Sequence, residues 1–422
     1  MLLQFNFKNY KSFRDDTTLD FTATKITELN HHVISIGQEK VLPVAAIFGA
    51  NASGKSNVLE AFRYMLTYVT DSFTYGGDYS NKKVEETFFI PTPFLFDDKS
   101  KEADSTFEVH FIDSEANGAK TYNYGFVVGS NGVKEEWLNY KAKTSRGDYR
   151  RIFHRNGSEI DLEGIPAKKR ENILTSLEDE SLIVSLGAKL KIDNLKHIRE
   201  WFQSNAFVDF GSPIENYWLS SLLPDGFVDD KKVQENVVKY LSAFDPSIVG
   251  FDVEMLGIDK NANSRIRIDA IHKMVDSDEV SSIRLKLESA GTLKMFSLYP
   301  FLQQVLETGG VLFIDELNSR LHPLLVRTFL IAFFDSEKNK NHAQLVFTSH
   351  ETWLLSRNIL RRDEIWFAEK DSDGVSSLYS LADFVDNDGA KIRKDESYVN
   401  NYLLGKYGAI PVMKGFNIFE EE

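Results

Sequence analysis

Cysteine is absent from the 422-residue sequence, which excludes a disulfide framework and a thiolate metal site. Long hydrophobic runs are missing too. The longest, such as residues 329–334, fall far short of the ~20 residues that a membrane-spanning helix needs. The N-terminal segment alternates between apolar and polar residues and lacks the continuous apolar core of a secretory signal peptide. These absences predict a cytoplasmic protein without a membrane segment.

Positive charge is in short supply, because 49 Lys and Arg residues stand against 63 Asp and Glu residues, a net charge of −14 at pH 7. This balance argues against a protein that coats nucleic acid non-specifically. One segment differs: residues 141–199, here called the basic stretch, hold 13 Lys and Arg against 9 Asp and Glu. Two interpretations of the basic stretch stay open. It is either a solvated surface or a docking site for nucleic acid or an acidic protein partner.

Hydrophobic periodicity predicts an α/β fold. Alternating apolar residues within 5–21 predict an antiparallel hairpin, and an apolar strand at 44–48 precedes an amphipathic helix over 57–69. Further segments share the pattern of buried parallel strands separated by helical stretches; they are 311–314, 345–348 and 365–368. Between the two halves, the sequence predicts a small β lobe at 106–128 and helices at 171–202.

A complete P-loop motif follows the strand at 44–48. The octamer Gly49-Ala50-Asn51-Ala52-Ser53-Gly54-Lys55-Ser56 matches G-x-x-x-x-G-K-[ST], and the predicted strand and helix on either side are the context that this motif requires. Its glycines let backbone N–H groups surround phosphates, and the helix N-terminus adds positive potential. We therefore expect the octamer and Asn57 to bind a nucleotide, with Lys55 reaching its β- and γ-phosphates and Ser56 ligating Mg²⁺.

A second motif, this one acidic, follows the predicted strand at 311–314. Asp315 and Glu316 follow four apolar residues directly, and adjacent carboxylates at the end of a buried strand are costly unless they meet a metal or a positive partner. Together with a P-loop, this pattern is typical of Walker B. It predicts that Asp315 binds Mg²⁺ and that Glu316 orients and polarises the attacking water.

Two further segments complete an ordered set. Leu287-Glu288-Ser289-Ala290-Gly291-Thr292-Leu293-Lys294 resembles the signature of ABC-type ATPases, in which a Ser and a Gly at a helix start contact the γ-phosphate held by the opposite subunit. The alternative is an ordinary helix cap, for which Ser289 is well suited. His350, at the end of the predicted strand 345–348, resembles the switch histidine that senses the γ-phosphate.

The sequence as a whole resembles the SMC/RecF-like ABC-type ATPases, particularly the compact RloA-like and OLD-like ATP-binding proteins of bacteria. The resemblance includes the opening strand and turn at 6–13 and the P-loop helix at 54–61. It also includes Leu321-His322-Pro323, similar to the D-loop that follows Walker B, and the tail at 402–411. In the middle third of the sequence, the resemblance is only general.

This resemblance implies an ABC-type P-loop head with a mixed β-sheet and flanking helices. Residues 1–75 and 280–422 would form the head, split by an inserted β lobe and helical lobe at 76–279. It further implies that ATP and Mg²⁺ are bound between Lys55 of one copy and Ser289 of another, giving an ATP-dependent homodimer or a larger even-numbered assembly. Such proteins act as nucleotide-driven switches, many in anti-phage defence, often beside a separately encoded nuclease or toxin.

One feature departs from the family pattern. ABC heads usually carry a Gln between the P-loop and the signature that ligates Mg²⁺. No Gln lies between Asn57 and Phe202, however, and from there to the signature only Gln203 and Gln234 occur. Either Gln203, another side chain or water must fill that role.

Three other functions are weaker alternatives. Glu369, Asp371 and Asp373 form an acid-x-acid pattern that would suit an OLD-like nuclease with a built-in ATPase, but a turn explains them better and the residues that follow are too few for a Toprim domain. A P-loop GTPase or small-molecule kinase is disfavoured because Asn-Lys-x-Asp is missing. A scaffold without turnover is disfavoured by Glu316. ATP-dependent DNA maintenance or processing stays open.

Overall fold

The computed structural model describes residues 1–75, 90–115, 118–142, 148–219, 222–258, 264–319, 321–385, 392–393 and 396–410. The chain divides into two compact units, the first made of Met1–Asn205 and Gln344–Glu422 and the second of Ala206–Ala343. This division describes packing, and its boundaries differ from those predicted for head and insertion at 75/76 and 279/280. The predicted division stays a prediction.

The first unit is mixed α/β. Its strands are β1 (Leu2–Lys8), β2 (Thr17–Asp20), β3 (Ile34–Ile36), β4 (Glu39–Val41), β5 (Val44–Phe48), β6 (Ser105–Glu115), β7 (Gly118–Gly129), β8 (Gly132–Ala142), β9 (Arg150–Asn156), β10 (Glu159–Asp161), β16 (Gln344–Thr348), β17 (Ile365–Lys370) and β18 (Ser376–Ser380). Its helices are α1 (Lys55–Asp71), α2 (Asp98–Glu102), α3 (Ala167–Ser176), α4 (Ile183–Lys189), α5 (Asp193–Gln203) and α10 (Tyr398–Leu403).

The second unit is also mixed. Its strands are β11 (Ala206–Asp209), β12 (Ile248–Ile258), β13 (Ser264–Lys273), β14 (Val280–Arg284) and β15 (Val311–Asp315). Its helices are α6 (Pro213–Leu219), α7 (Lys231–Leu241), α8 (Ala290–Thr308) and α9 (Pro323–Phe334). Within the described residues of the chain, no helix combines the length and apolar character needed to cross a bilayer.

A seven-stranded antiparallel sheet dominates the first unit, in the order β10-β9-β8-β7-β6-β1-β2. The predicted N-terminal hairpin is confirmed, since β1 pairs with β2. However, β6 pairs with the other edge of β1, so the strands predicted as a separate small lobe extend the sheet that the hairpin begins. The reason is a shared aromatic core, in which Phe5 of β1 contacts Phe62 of α1 and Phe107 of β6 contacts Tyr64 of α1.

The strand that precedes the P-loop belongs to a group of parallel strands in the first unit. Strand β5 lies between β16 and β17 and runs parallel to both, while β18 pairs antiparallel with β17. All five residues of β5 are buried, as expected of a parallel strand covered on both faces. The prediction of parallel strands at 345–348 and 365–368 is confirmed.

The second unit contains a sheet that the sequence analysis missed. The insertion was predicted as β and then helical, but a three-stranded antiparallel sheet of β12, β13 and β14 follows α7. Its signal was present in the alternation of Ile266, Ile268 and Ala270. The sheet packs on α8 through an aromatic cluster in which Phe251 of β12 lies 5.8 Å from Phe296.

Candidate nucleotide site

The P-loop leaves β5 at Gly49 and enters α1 at Lys55, two residues before the predicted start of the helix. Gly49 and Gly54 adopt φ values of 154° and 108°, and Gly54 lies in a region that side-chain-bearing residues rarely occupy. A Cβ on Gly49 would approach the Ala368 carbonyl oxygen to 2.3 Å, and one on Gly54 would approach Ser376 Oγ to 2.7 Å. Both glycines are therefore required by close packing around the loop.

Two distant segments brace this loop. Ser376 of β18 donates through Oγ to the Ser53 carbonyl at 2.8 Å and contacts Ser12 Oγ at 2.8 Å. Asn57, predicted to bind nucleotide, donates its side-chain amide to the same Ser12 oxygen at 2.7 Å. The opening turn at 6–13 thus holds the base of the P-loop helix, a role that the sequence resemblance did not assign.

The loop has the polar groups that a triphosphate needs. Lys55 is buried, and its Nζ donates to the carbonyls of Gly49 and Ala50 at 3.0 and 2.8 Å. Ser53 Oγ is buried without a hydrogen-bond partner, and no side chain caps the first turn of α1, where Ser56 is half-buried. A buried hydroxyl and helix N–H groups are natural partners of phosphate oxygens, so the residues fit ATP.

His350 lies at the same edge of the parallel strands as the P-loop. Thr348 of β16 is paired with Ile47 of β5, and the Ser349 N–H donates to the Ile47 carbonyl at 3.1 Å. Gly49 and His350 each follow this pair by two residues. Because carboxyl ends of parallel strands share one edge of a sheet, the exposed His350 lies beside the start of the P-loop.

In the second unit, β15 ends in the predicted acidic pair. Residues 311–314 are buried, whereas Asp315 and Glu316 are half-buried. Glu316 has a φ of 54°, a left-handed conformation that costs a residue with a side chain ~1 kcal/mol. Backbone strain of this kind concentrates at functional sites.

Asp209 is a third carboxylate at this edge, and the sequence analysis did not identify it. It ends β11, which runs parallel to β15 and places Asp209 opposite Asp315. Burial, together with repulsion from Asp315, raises the pKa of Asp209, although the N–H groups of Gly211 and Ser212 donate to it. The signal was an apolar run ending in an acid, Ala206-Phe207-Val208-Asp209, a shorter copy of the Walker B pattern.

A cation at this edge would relieve the repulsion between Asp209 and Asp315, which suits Mg²⁺. Among the residues that the structure describes, no three His, Cys, Asp or Glu side chains are arranged to hold a metal ion. In proteins, Mg²⁺ is usually bound by one or two carboxylates and takes its remaining ligands from water and substrate phosphates.

Ser289 caps α8. The sequence analysis gave such a helix cap as the alternative to a signature role. Its Oγ accepts from the Thr292 N–H at 3.1 Å, and the side chain is exposed. A cavity of about 120 Å³ lies beside Ser289, Gly291 and Thr292. This is small against the ~300–1,000 Å³ of typical ligand pockets, so this cavity alone offers no room for a whole nucleotide.

Two of the three acids in the nuclease-like pattern, Asp371 and Asp373, lie in the turn between β17 and β18, whereas Glu369 lies within β17. Asp371 Oδ1 accepts from the N–H groups of Asp373 and Val375, both at 2.9 Å, and Gly374 has a φ of 82°. Glu369 accepts from the Tyr379 hydroxyl at 3.0 Å. The predicted hairpin turn is confirmed.

Several side chains of the basic stretch make contacts within the chain. Arg155 donates to the Ser181 carbonyl at 2.8 Å, Arg170 to the Ile165 carbonyl at 2.8 Å and Arg199 to the Thr70 carbonyl at 2.8 Å. These contacts favour a structural role for those three arginines. Lys143 and Arg146 lie outside the described residues.

Comparison with known proteins identifies one sequence family. Residues 44–356 match the family described as "AAA domain, putative AbiEii toxin, Type IV TA system", a span that includes the P-loop, the signature-like segment, Asp315-Glu316 and His350. No curated protein matches the chain.

Solved structures of Smc head domains are similar to the chain at low identity. They include an Smc head bound to the C-winged helix domain of ScpA, at 13% identity and a TM-score of 0.45, covering 90% of this chain and 97% of that one. An Smc head with an extended coiled coil bound to the C-terminal domain of ScpA, from Pyrococcus furiosus, has 13% identity and a TM-score of 0.41, covering 90% and 96%. An Smc head with a coiled coil and joint, from Pyrococcus yayanosii, has 12% identity and a TM-score of 0.42, covering 90% and 97%.

Proposed function

This chain belongs to the AAA-domain family that it matches over residues 44–356, and on that premise we propose that it binds ATP with Mg²⁺ and hydrolyses the ATP. One observation carries the proposal. The octamer 49–56 forms a glycine loop between a fully buried parallel strand and an uncapped 17-residue helix, the arrangement that surrounds phosphates with N–H groups.

Binding would begin at the P-loop. Lys55 Nζ exchanges its contacts with the Gly49 and Ala50 carbonyls for oxygens of the β- and γ-phosphates, which are stronger, charge-assisted partners. Residues 49–57 supply backbone N–H groups, and Ser56 and Asp315 are the proposed ligands of the metal. A Mg²⁺ ion held there would neutralise charge that develops on the phosphates.

Hydrolysis needs a polarised water and a sensor of the γ-phosphate. Glu316 accepts hydrogen bonds from the attacking water and so orients it. His350 donates to the γ-phosphate from the edge that it shares with Gly49. Asp209 is a further candidate to fill the role of the missing Gln, since it faces Asp315 in register.

We further propose that two copies enclose each ATP, with Ser289 and Gly291 of one copy contacting the γ-phosphate held by Lys55 of the other. The exposure of the Ser289 side chain and the small cavity beside it support a contact to nucleotide bound elsewhere. The product would be an ATP-dependent homodimer or a larger even-numbered assembly.

The biological role that best suits this chemistry is a nucleotide-driven switch with a separate effector, a nuclease or toxin, in anti-phage defence. The family description, which names a toxin of a type IV TA system, supports such a context. DNA maintenance is the second candidate. Nucleic acid stays open as a partner through exposed residues of the basic stretch such as Lys168.

Two substitutions separate binding from hydrolysis. Lys55→Ala is expected to abolish detectable ATP binding in calorimetry, because it removes the cation that contacts the phosphates. Glu316→Gln is expected to bind ATP normally and to lose ~100-fold or more in kcat, the contribution typical of a positioned general base. Lys40→Ala and Glu337→Gln change exposed residues and serve as matched controls. Normal turnover by Glu316→Gln would refute the proposed role of Glu316, and an absence of ATP binding by the unaltered protein would refute the function.

A further inference from the structure

Lys294 places its ammonium group in the turn that follows β15. It belongs to α8, five residues after the helix cap Ser289, and its side chain is almost fully buried. Nζ donates to three backbone carbonyls, those of Glu316 at 3.3 Å, Leu317 at 2.8 Å and Ser319 at 2.7 Å. A lysine ammonium has three donors, so this turn engages all of them.

The turn needs such a partner. Glu316 is in a left-handed conformation, and the Ser319 N–H folds back to the Glu316 carbonyl at 2.9 Å. Three carbonyl oxygens that converge on one point repel one another in the absence of a positive group, and burial strengthens that repulsion. The ammonium offsets the repulsion and thereby stabilises the strained backbone that aims the Glu316 carboxylate.

The same ammonium reaches a second segment of this unit. It lies 3.7 Å from the centroid of the Phe210 ring, a cation–π contact. Phe210 in turn donates its N–H to the Asp315 carbonyl at 3.2 Å and directly follows Asp209. Lys294 therefore joins the start of α8, the ends of both parallel strands and the turn after β15.

We infer that Lys294 is a positioning residue that couples the helix carrying Ser289 and Gly291 to the Glu316 carboxylate. Displacement of the first turn of α8 moves the anchor of the turn at 316–319 and with it the hydrolytic carboxylate. A contact at Ser289 is thus transmitted to Glu316 within one copy of the chain. This inference rests on the proposed ATPase function and adds a residue to it.

Lys294→Met tests the inference, because it keeps an apolar stem that can pack on Phe210 and removes the three donors. We expect kcat for ATP to fall by ~10- to 100-fold, as for small misplacements of catalytic groups, while KM stays within about twofold. Lys294→Arg keeps a multidentate cation and should restore most of the turnover. Lys286→Met removes an exposed lysine ahead of the signature-like segment and should leave turnover unchanged.

A double mutant separates positioning from a general structural effect. If Lys294 acts through Glu316, the variant carrying both Lys294→Met and Glu316→Gln should turn over ATP at the rate of Glu316→Gln alone. Losses that multiply, or unaltered kcat in Lys294→Met, would overturn the inference. So would a folded Lys294→Arg variant as inactive as Lys294→Met.

Hydrogen exchange without nucleotide gives a readout that does not depend on activity. We expect the Ser319 amide to exchange at least about tenfold faster in Lys294→Met than in the unaltered protein, since the anchor of its turn is lost. Equal exchange would contradict the inference even in a protein that hydrolyses ATP. Conversely, faster exchange in a protein that proves to lack ATPase activity would refute the proposed function and leave the structural coupling in place.

Discussion

Individual residues at the P-loop are constrained by their neighbours as much as by phosphate. Gly54 combines a φ of 108° with close approaches from Ser376, Ser12 and Phe13, so this glycine is needed before any nucleotide arrives. Gly157, in the turn between β9 and β10, also has a positive φ of 55°, but nothing lies within 4 Å of its added Cβ. Comparing substitutions at these two glycines therefore separates the effect of conformational strain from the effect of overpacking.

Gly54→Ala should destabilise the protein by about 2–4 kcal/mol, the sum of the left-handed cost and of overpacking, and should also weaken ATP binding. Gly157→Ala should cost only about 1 kcal/mol. Urea denaturation followed by circular dichroism measures both. Equal destabilisation by the two substitutions would show that the contacts with Ser376 and Ser12 do not constrain the loop.

The repulsion between Asp209 and Asp315 can be tested through the pH dependence of stability. The pKa of Asp209 is raised in the folded protein by burial and by Asp315, so its contribution to stability is fully present below the ordinary Asp pKa of 3.8 and is lost as the pH rises through the folded value. Asp209→Asn should therefore raise Tm at pH 7 without nucleotide, and the gain should shrink as the pH falls toward 3.8.

The control for this effect is Asp225→Asn, which removes an exposed carboxylate of the same unit and should leave Tm nearly unchanged at both pH values. A gain in Tm for Asp209→Asn together with slower ATP hydrolysis would indicate a carboxylate that costs stability and serves function. A lower Tm at pH 7 would contradict the repulsion between Asp209 and Asp315.

At the scale of elements, buried polar groups fix how helices meet the large sheet. Glu136 of β8 is fully buried and accepts from the N–H groups of Ile183 and Val184 at the start of α4, at 2.6 and 3.2 Å. The Tyr124 hydroxyl also donates to it, at 3.0 Å. One carboxylate thus connects the sheet to a helix that has no cap of its own.

Glu136→Gln should destabilise the protein by about 1–3 kcal/mol, because the amide nitrogen must face an N–H donor that then stays unsatisfied. Glu135→Gln is the matched control, since the neighbouring Glu135 is partly exposed and contacts His154 at 2.8 Å. It should cost at most about 0.5 kcal/mol. Thermal unfolding of the two variants at pH 7 makes the comparison, and similar losses would argue against a capping role for Glu136.

At the scale of the whole molecule, the central expectation is association driven by nucleotide. Glu316→Gln, which should hold ATP without hydrolysing it, is expected to double its mass on addition of ATP and Mg²⁺, as measured by light scattering. Adding Ser289→Arg should prevent this, because a bulky cation replaces the hydroxyl proposed to contact the γ-phosphate of the partner copy. Adding Ser281→Arg, at an exposed position of β14, should not. An equal mass with and without ATP and Mg²⁺ would contradict closure of two copies around ATP.

Much of the site could be predicted from the sequence because its signals are local. The octamer 49–56, the strand before it and the helix after it are contiguous, so spacing alone specifies a glycine loop at a helix N-terminus. The same holds for Asp315-Glu316, since four apolar residues followed by two acids predict a strand and its exposed end. The Ser289 cap, too, depends only on an N–H three residues away.

The tertiary structure alone decided which distant residues support those motifs. Ser12 and Ser376 brace the P-loop because β18 follows β17 as a hairpin beside it, and Asp209 faces Asp315 because β11 pairs with β15 in that register. Lys294 lies in a helix, and its three acceptors are visible only once the turn at 316–319 is folded against that helix. Pairing order and register depend on contacts between remote segments, and a pattern along the chain carries no record of them.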